Sequence, residues 1–211
     1  MEIFKSLADR RGPGHLFSLA HFYLVLKYLK EEKKPIGRYD LGKRLNLGSG
    51  SIRTVLKRLA SKGLIESEKT KGHKITENGL NVLNAIGKYI LKIQELENVG
   101  DLSVSNINIG CHVRYITNLI ESGIRIRDEA IKYGADGVTT LIFKDDNFEI
   151  VGLDQFDIKR DYIELYRELI DKFEDIKDDD LIIIGTAQDK NAALIGVLNA
   201  IFSLLMDMKL F

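Results

Sequence analysis

The chain has 211 residues, 45% of them hydrophobic and 29% charged, with 31 Lys and Arg against 31 Asp and Glu. This length and composition are typical of one large or two small globular domains and exclude a disordered chain. The single Cys excludes an internal disulfide and favours a reducing, cytoplasmic setting. The first fifteen residues have no apolar core followed by a cleavage site, so we expect no secretion signal.

The neutral total is divided unevenly along the chain. Residues 1–92 carry 19 Lys and Arg but 8 Asp and Glu, whereas residues 93–211 carry 12 and 23. An asymmetry of this size indicates that the basic half contacts a polyanion. Seven of the basic residues lie in one stretch at positions 48–79, GSGSIRTVLKRLASKGLIESEKTKGHKITENG.

Three helices and a hairpin are predicted in this basic half. The first helix lies in LFSLAHFYLVLKYLKEEKKP and ends before Pro35, a shorter one covers about residues 39–45, and a third covers SIRTVLKRLASKG. The third helix has one apolar face, consisting of Ile52, Val55, Leu56 and Leu59. LIESEKTKGHKIT alternates around a Lys-Gly turn, which is typical of a small hairpin. This order predicts a winged helix-turn-helix domain whose third helix enters the DNA major groove.

Double-stranded DNA is therefore the predicted partner. Cations and short hydroxyl side chains of the third helix and its turn can reach bases or phosphates: Ser49, Ser51, Arg53, Thr54, Lys57 and Arg58. Lysines after this helix and in the hairpin are expected at phosphates: Lys62, Lys69, Lys71 and Lys74. His73, at the hairpin tip, is a further DNA-binding candidate. The alternatives are a merely solvated basic face and a winged helix that binds protein.

Three motifs of the basic half, LGKRLNLG, SIRTVLKRLASKGLI and GHKITENG, resemble the winged-helix domain of prokaryotic transcription regulators over about residues 15–92. With IRIRDEAIKYGADGVTTLIFKD and DLIIIGTAQD, the whole chain resembles a group of archaeal transcription regulators. In that group such a domain precedes a C-terminal domain of unknown function. The resemblance implies DNA binding for the N-terminal domain.

The segment ITENGLNVLNAIGKYILKIQELENVGD predicts one helix from about Glu77 to Glu97, because apolar residues recur every three or four positions. This helix either packs on its own domain or pairs two subunits so that two recognition helices reach paired half-sites. We place the domain boundary after it, giving a DNA-binding domain at residues 1–98 and a second domain at residues 99–211.

The sequence of the acidic half predicts, in chain order, a strand, a helix, two strands, a helix, a strand and a last helix. The KDDN turn before Phe148 marks a hairpin between the middle strands. The chain is therefore expected to be α+β, with a ferredoxin-like second domain (βαββαβ plus a C-terminal helix). We expect this domain to sense an effector or to set the oligomeric state.

Two segments could bind an anionic effector. In DLIIIGTAQDKNAAL, a strand and Gly turn lead into a helix whose N-terminus could bind an anion; the candidates are Gly185, Thr186, Ala187 and Asp189. Asp189 is also a good N-cap, so a plain strand–helix junction is the alternative. Arg125 and Arg127 could bind a carboxylate or phosphate, or they could pair with neighbouring acids.

Catalytic and metal-binding patterns are not found in the sequence. GxSxG, a phosphate-binding P-loop, HExxH and CxxC are all missing, and adjacent Cys111 and His112 would point to opposite faces of a strand. We expect no enzyme activity, no cofactor and no structural metal. An enzyme acting on a nucleotide or small cofactor, with an accessory winged helix, is the alternative.

The last helix, NAALIGVLNAIFSLLMDM, is apolar on nearly all sides but is short and interrupted for a membrane span. We expect it to be buried, in part against a second subunit. The sequence as a whole predicts a cytoplasmic, homodimeric, DNA-binding transcription regulator that does not bind membranes.

Overall fold

The computed structural model describes residues 2–8, 17–32, 34–68, 70–120, 123–153 and 156–208. These residues form two compact units that divide between Gly87 and Lys88. The fold is mixed α and β, with a largely helical first unit and an antiparallel sheet in the second.

The first unit has the chain order of helices and hairpin that the sequence predicts. Its elements are α1 (Glu2–Lys5), α2 (Leu19–Glu31), α3 (Arg38–Arg44), α4 (Ser49–Ser61), β1 (Ile65–Glu68), β2 (Gly72–Ile75) and α5 (Glu77–Ile86). The four apolar residues expected on one face of α4 are all buried, so the predicted orientation of this helix is confirmed. Burying that face leaves the opposite face of α4 toward solvent.

The start of α2 depends on a neutral histidine. The backbone N–H of Ser18 donates to Nδ1 of His21 at 3.0 Å, which gives a capping box with His in the place usually held by Glu or Gln. Burial lowers the pKa of His21 from its ordinary 6.5 to about 4. Protonation would remove the acceptor that closes the cap.

We expect the first unit to lose stability in mild acid for this reason. Because the folded-state pKa lies below the unfolded value, the contribution of His21 is complete above pH 6.5 and is lost as the pH falls toward 4. The expected loss is about 3 kcal/mol. Urea unfolding across this pH range measures it, and the His21→Gln variant should show a correspondingly smaller pH dependence. Equal pH dependence in both proteins would contradict the assignment.

The second unit is built on a five-stranded sheet. Its elements are β3 (Ile90–Leu96), β4 (Ile107–Val113), α6 (Gly123–Ile131), β5 (Gly137–Lys144), β6 (Asn147–Ile150), α7 (Ile158–Asp161), α8 (Ile163–Lys172), β7 (Leu181–Ala187) and α9 (Lys190–Asp207). The strand order is β3-β4-β7-β5-β6, and every neighbouring pair is antiparallel.

The predicted helix from Glu77 to Glu97 is wrong in its second half. Helix α5 ends at Ile86, and Ile90–Leu96 forms β3, which pairs with β4. Apolar residues spaced by three fit either element over so short a segment, and the open edge of β4 decides for the strand. The sequence-based boundary after residue 98 is corrected accordingly, because β3 belongs to the second unit.

The ferredoxin-like prediction is also corrected. The chain order βαββαβ is present from β4 to β7, but the sheet order is not that of a ferredoxin-like domain. In that fold the first and third of the four motif strands lie between the other two. Here the motif strands are ordered β4-β7-β5-β6, so the fourth and second strands, β7 and β5, lie between the others. The reason is β3, which occupies the edge of β4 where β6 would otherwise pair.

Helix α9 is buried within its own unit. It packs on β4, β7 and α6, and a Cβ on Gly185 would lie 2.9 Å from Val197, so glycine permits the close approach. Among the described residues α9 is the helix long and apolar enough to cross a bilayer, and 67% of it is buried. Its apolar surface is therefore accounted for within one chain, and the homodimer stays a prediction.

Candidate functional site

The solvent face of α4 carries free cations. Ser49, Arg53 and Lys57 follow each other at intervals of four residues, so they share one side of the helix, and all three are exposed. Within the described part of the chain, neither the Arg53 nor the Lys57 side chain has an ion-pair or hydrogen-bond partner. Two unpaired cations one turn apart can reach an anionic ligand without first giving up a contact.

Other candidates on α4 are engaged within the unit. Arg58 donates to the carbonyl of Leu7 at 3.2 Å and lies 5.4 Å from the ring of Phe17, and it is only half-exposed. Thr54 donates to the carbonyl of Gly50 at 3.0 Å. Arg58 as a DNA contact stays a prediction, and reaching DNA would require this side chain to give up its contacts with Leu7 and Phe17.

The remaining α4 candidates differ in exposure. Ser51 is half-buried, whereas Lys62, just after the helix, is exposed and unpaired among the described residues. Exposure at the end of α4 is compatible with the phosphate contact predicted for Lys62.

The hairpin candidates are mostly paired. Lys74 Nζ lies 3.0 Å from Glu66 and 2.9 Å from Glu68, and Lys71 lies 3.8 Å from Glu68. Lys69 lies outside the described residues. The predicted basic tip is therefore flanked by carboxylates of the facing strand.

His73 links the hairpin to the segment before α3. Its backbone exchanges two hydrogen bonds of 2.9 Å with Ile36. Burial, together with the charge of Arg38, lowers the pKa of His73 below its ordinary 6.5. The ring is therefore neutral near pH 7, and the backbone of His73 attaches β2 to the segment before α3.

A groove between α3 and α4 combines the predicted candidate Ser49 with residues that sequence reasoning missed. It has a volume of about 470 Å³ and is lined by Arg38, Tyr39, Lys43 and Ser49, among others. Tyr39 is 81% exposed, and neither cation is paired within the described residues. The RYDLGKR segment could have indicated this groove, because Tyr39 and Lys43 are four residues apart and share one face of a helix.

The predicted effector segment of β7 is not an open site. Gly185, Thr186 and Ala187 are buried strand residues, and Gly185 lies in the strand rather than in a turn. Asp189 accepts a hydrogen bond from the N–H of Ala192 at 3.0 Å and caps α9. The prediction of an anion site here is therefore wrong, because the N-cap carboxylate occupies the helix start.

The two arginines of α6 pair with neighbouring acids. Arg125 contacts Asp207, and Arg127 lies 3.1 Å from Asp128. The alternative stated for them from the sequence, pairing with local carboxylates, is the arrangement that the structure has.

A charged cluster at one end of the sheet was missed by sequence reasoning. Asp180, 2% exposed, accepts hydrogen bonds from His112 at 2.8 Å and from Arg114 Nε at 2.7 Å. Burial opposes ionisation of Asp180, but hydrogen bonds from Arg114, His112 and the backbone N–H of Lys177 together outweigh it and hold the pKa of its carboxyl below 3.8. Burial lowers the pKa of His112 below 6.5 although Asp180 opposes the shift. A neutral His112 therefore donates its Nε2–H to a carboxylate.

Beside this cluster is an open groove of about 630 Å³. Arg114, Tyr115, Thr117, Asn118 and residues 177–180 line it, and Tyr115 is 68% exposed. His112 is 1% exposed and does not reach the groove. Among the residues that the structure describes, no group of three or more His, Cys, Asp or Glu side chains could hold a metal ion.

Two family models match different parts of the chain. Residues 24–81 match the model described as PH0730-like, N-terminal domain, and residues 104–204 match Domain of unknown function (DUF4443). The solved structure of hypothetical protein PH0730 from Pyrococcus horikoshii OT3 is 27% identical and covers 90% of this chain and 94% of that chain, with a TM-score of 0.71. The expected relation to an archaeal two-domain group is confirmed to this extent.

A second solved structure is less similar. Hypothetical protein SSo2273 from Sulfolobus solfataricus is 23% identical, covers 33% of this chain and 53% of that chain, and has a TM-score of 0.30. No protein with a curated description matches the chain.

Proposed function

We propose that the chain is a DNA-binding transcription regulator whose first unit is a winged helix-turn-helix domain. The observation that carries this proposal is the free pair Arg53 and Lys57 on the solvent face of α4. The unit around this pair, residues 1–87, has 17 Lys and Arg against 8 Asp and Glu. A basic face on α4 is suited to binding in the major groove and to contact with its phosphates.

The second unit, in this proposal, senses an effector or sets the oligomeric state of a cytoplasmic homodimer. Support for sensing comes from the open groove beside Arg114 and Tyr115, which is large enough for a small molecule. A ligand there changes DNA affinity only if it binds the two states of the protein with different affinities.

Salt dependence of DNA binding tests the proposal. A dimer that makes about 6–10 phosphate contacts should lose about 10³–10⁵ in affinity between 50 and 200 mM salt, because each contact releases counterions. Fluorescence anisotropy with a labelled duplex of about 30 base pairs, which is long enough for two half-sites, measures it. Absence of binding at low salt, or binding that does not change with salt, would contradict DNA as the partner.

A further inference from the structure

Four of the five charged residues of the hairpin segment 65–75 form ion pairs with one another, and the fifth, Lys69, lies outside the described residues. Glu66 lies directly opposite Lys74 in the β1–β2 register, and Glu68 contacts both Lys71 and Lys74. The hydrogen bond from Lys74 holds the pKa of Glu68 below its ordinary value, so this carboxylate stays ionised. A phosphate that approached Lys74 would meet two carboxylates within 3.0 Å of its Nζ, and one that approached Lys71 would meet a carboxylate at 3.8 Å, so both lysines would attract it less than free cations do.

The α3–α4 groove, unlike the hairpin, has cations that are not paired with any carboxylate that the structure describes. Arg38 and Lys43 both line it, are exposed and have no carboxylate partner among the described residues. The acidic residue of α3, Asp40, is not part of the lining. The third cation of α3, Arg44, forms an ion pair with Glu32 at 2.6 Å. The unpaired positive charges of this helix are therefore those of Arg38 and Lys43 in the groove.

The groove is continuous with the basic face of α4. Ser49 lines the groove and lies one turn before Arg53 on the solvent side of the helix. Because the groove adjoins this side of α4, we expect a duplex that presents its major groove to Arg53 and Lys57 to place a flanking backbone strand near Arg38 and Lys43. The exposed Tyr39 hydroxyl supplies a further donor to phosphate oxygen.

We propose that the groove between α3 and α4 binds the DNA backbone through Arg38 and Lys43, and that the paired hairpin lysines Lys71 and Lys74 contribute no net phosphate contact. This inference rests on the proposed DNA-binding function. It departs from the expectation that the hairpin lysines set affinity.

Two variants that remove these charges separately test the inference. The groove variant is Arg38→Gln with Lys43→Gln. The hairpin variant replaces both signs of charge together, Glu66→Gln, Glu68→Gln, Lys71→Gln and Lys74→Gln, so that no carboxylate is left uncompensated. Each is titrated against the labelled duplex at several salt concentrations, with thermal melting as the control for folding.

The groove variant should lower the steepness of log affinity against log salt by about 2 per chain, about 1 for each phosphate contact removed. The hairpin variant should keep the wild-type slope. A charge-preserving variant, Arg38→Lys with Lys43→Arg, should also keep it, which separates loss of charge from loss of folding.

Two outcomes would overturn the inference while the DNA-binding function stands: a hairpin variant that loses as much slope as the groove variant, or a groove variant that keeps the wild-type slope. A wild-type chain that binds no duplex at low salt would instead remove the proposed function, and this inference with it.

Discussion

The Arg53→Gln, Lys57→Gln double variant is expected to bind duplex DNA roughly a hundredfold more weakly than the wild-type chain, a loss of about 3 kcal/mol. Both side chains are exposed and unpaired within the described residues, so their removal leaves the unit's own contacts intact. Anisotropy titration at fixed low salt measures the change, and the melting temperature should remain that of the wild type.

The matched control is Lys30→Gln with Lys34→Gln. It removes the same charge from exposed residues of the same unit, outside α4. Non-specific attraction between a basic protein and DNA would weaken equally in both variants, whereas a contact surface on α4 makes the first much weaker. Equal losses in the two variants would therefore count against α4 as the DNA-contacting helix.

The Asp180→Ala variant is expected to destabilise the second unit by about 3–5 kcal/mol. The change leaves Arg114, whose side chain is 12% exposed, with only the exposed carboxylate of Asp175, at 3.5 Å, in the described part of the chain, and it removes the acceptor for the Nε2–H of His112. A fall in melting temperature of about 10 °C is the corresponding observation.

Asp178→Ala is the control for this effect. Asp178 is two residues away, exposed and without an ion pair among the described residues, so its removal should change stability by less than about 0.5 kcal/mol. If Asp180→Ala were tolerated as well as Asp178→Ala, the buried cluster would not stabilise the sheet end.

Local sequence patterns predicted correctly the features that depend on residues close together in the sequence. The face of α4 that contains Ile52 and Leu59 was read correctly, because a period of 3.6 over thirteen residues fits no other element. The N-cap role of Asp189 was also available from the sequence, as the alternative to an anion site. Pairing of Arg125 and Arg127 with acids was likewise weighed, since an acidic domain offers many partners.

Predictions failed where a distant segment decided the outcome. Residues 90–96 fit a helix by spacing, but the free edge of β4 recruits them as β3. Arg58 donates to the carbonyl of Leu7, which is far away in sequence, and the sequence alone did not indicate this partner. Asp180 lies 68 positions from His112 and 66 from Arg114 in the sequence, so no local motif predicts this cluster.

The sequence by itself determined where positive charge accumulates and which side of α4 faces solvent, because both follow from the order of residues along one segment. Only the tertiary structure decided which cations remain free. Lys71 and Lys74 lie opposite glutamates, and Arg58 lies under the N-terminal residues, while Arg38 and Lys43 face an open groove. The physical reason is that an ion pair depends on distance in space, which packing fixes and sequence separation does not.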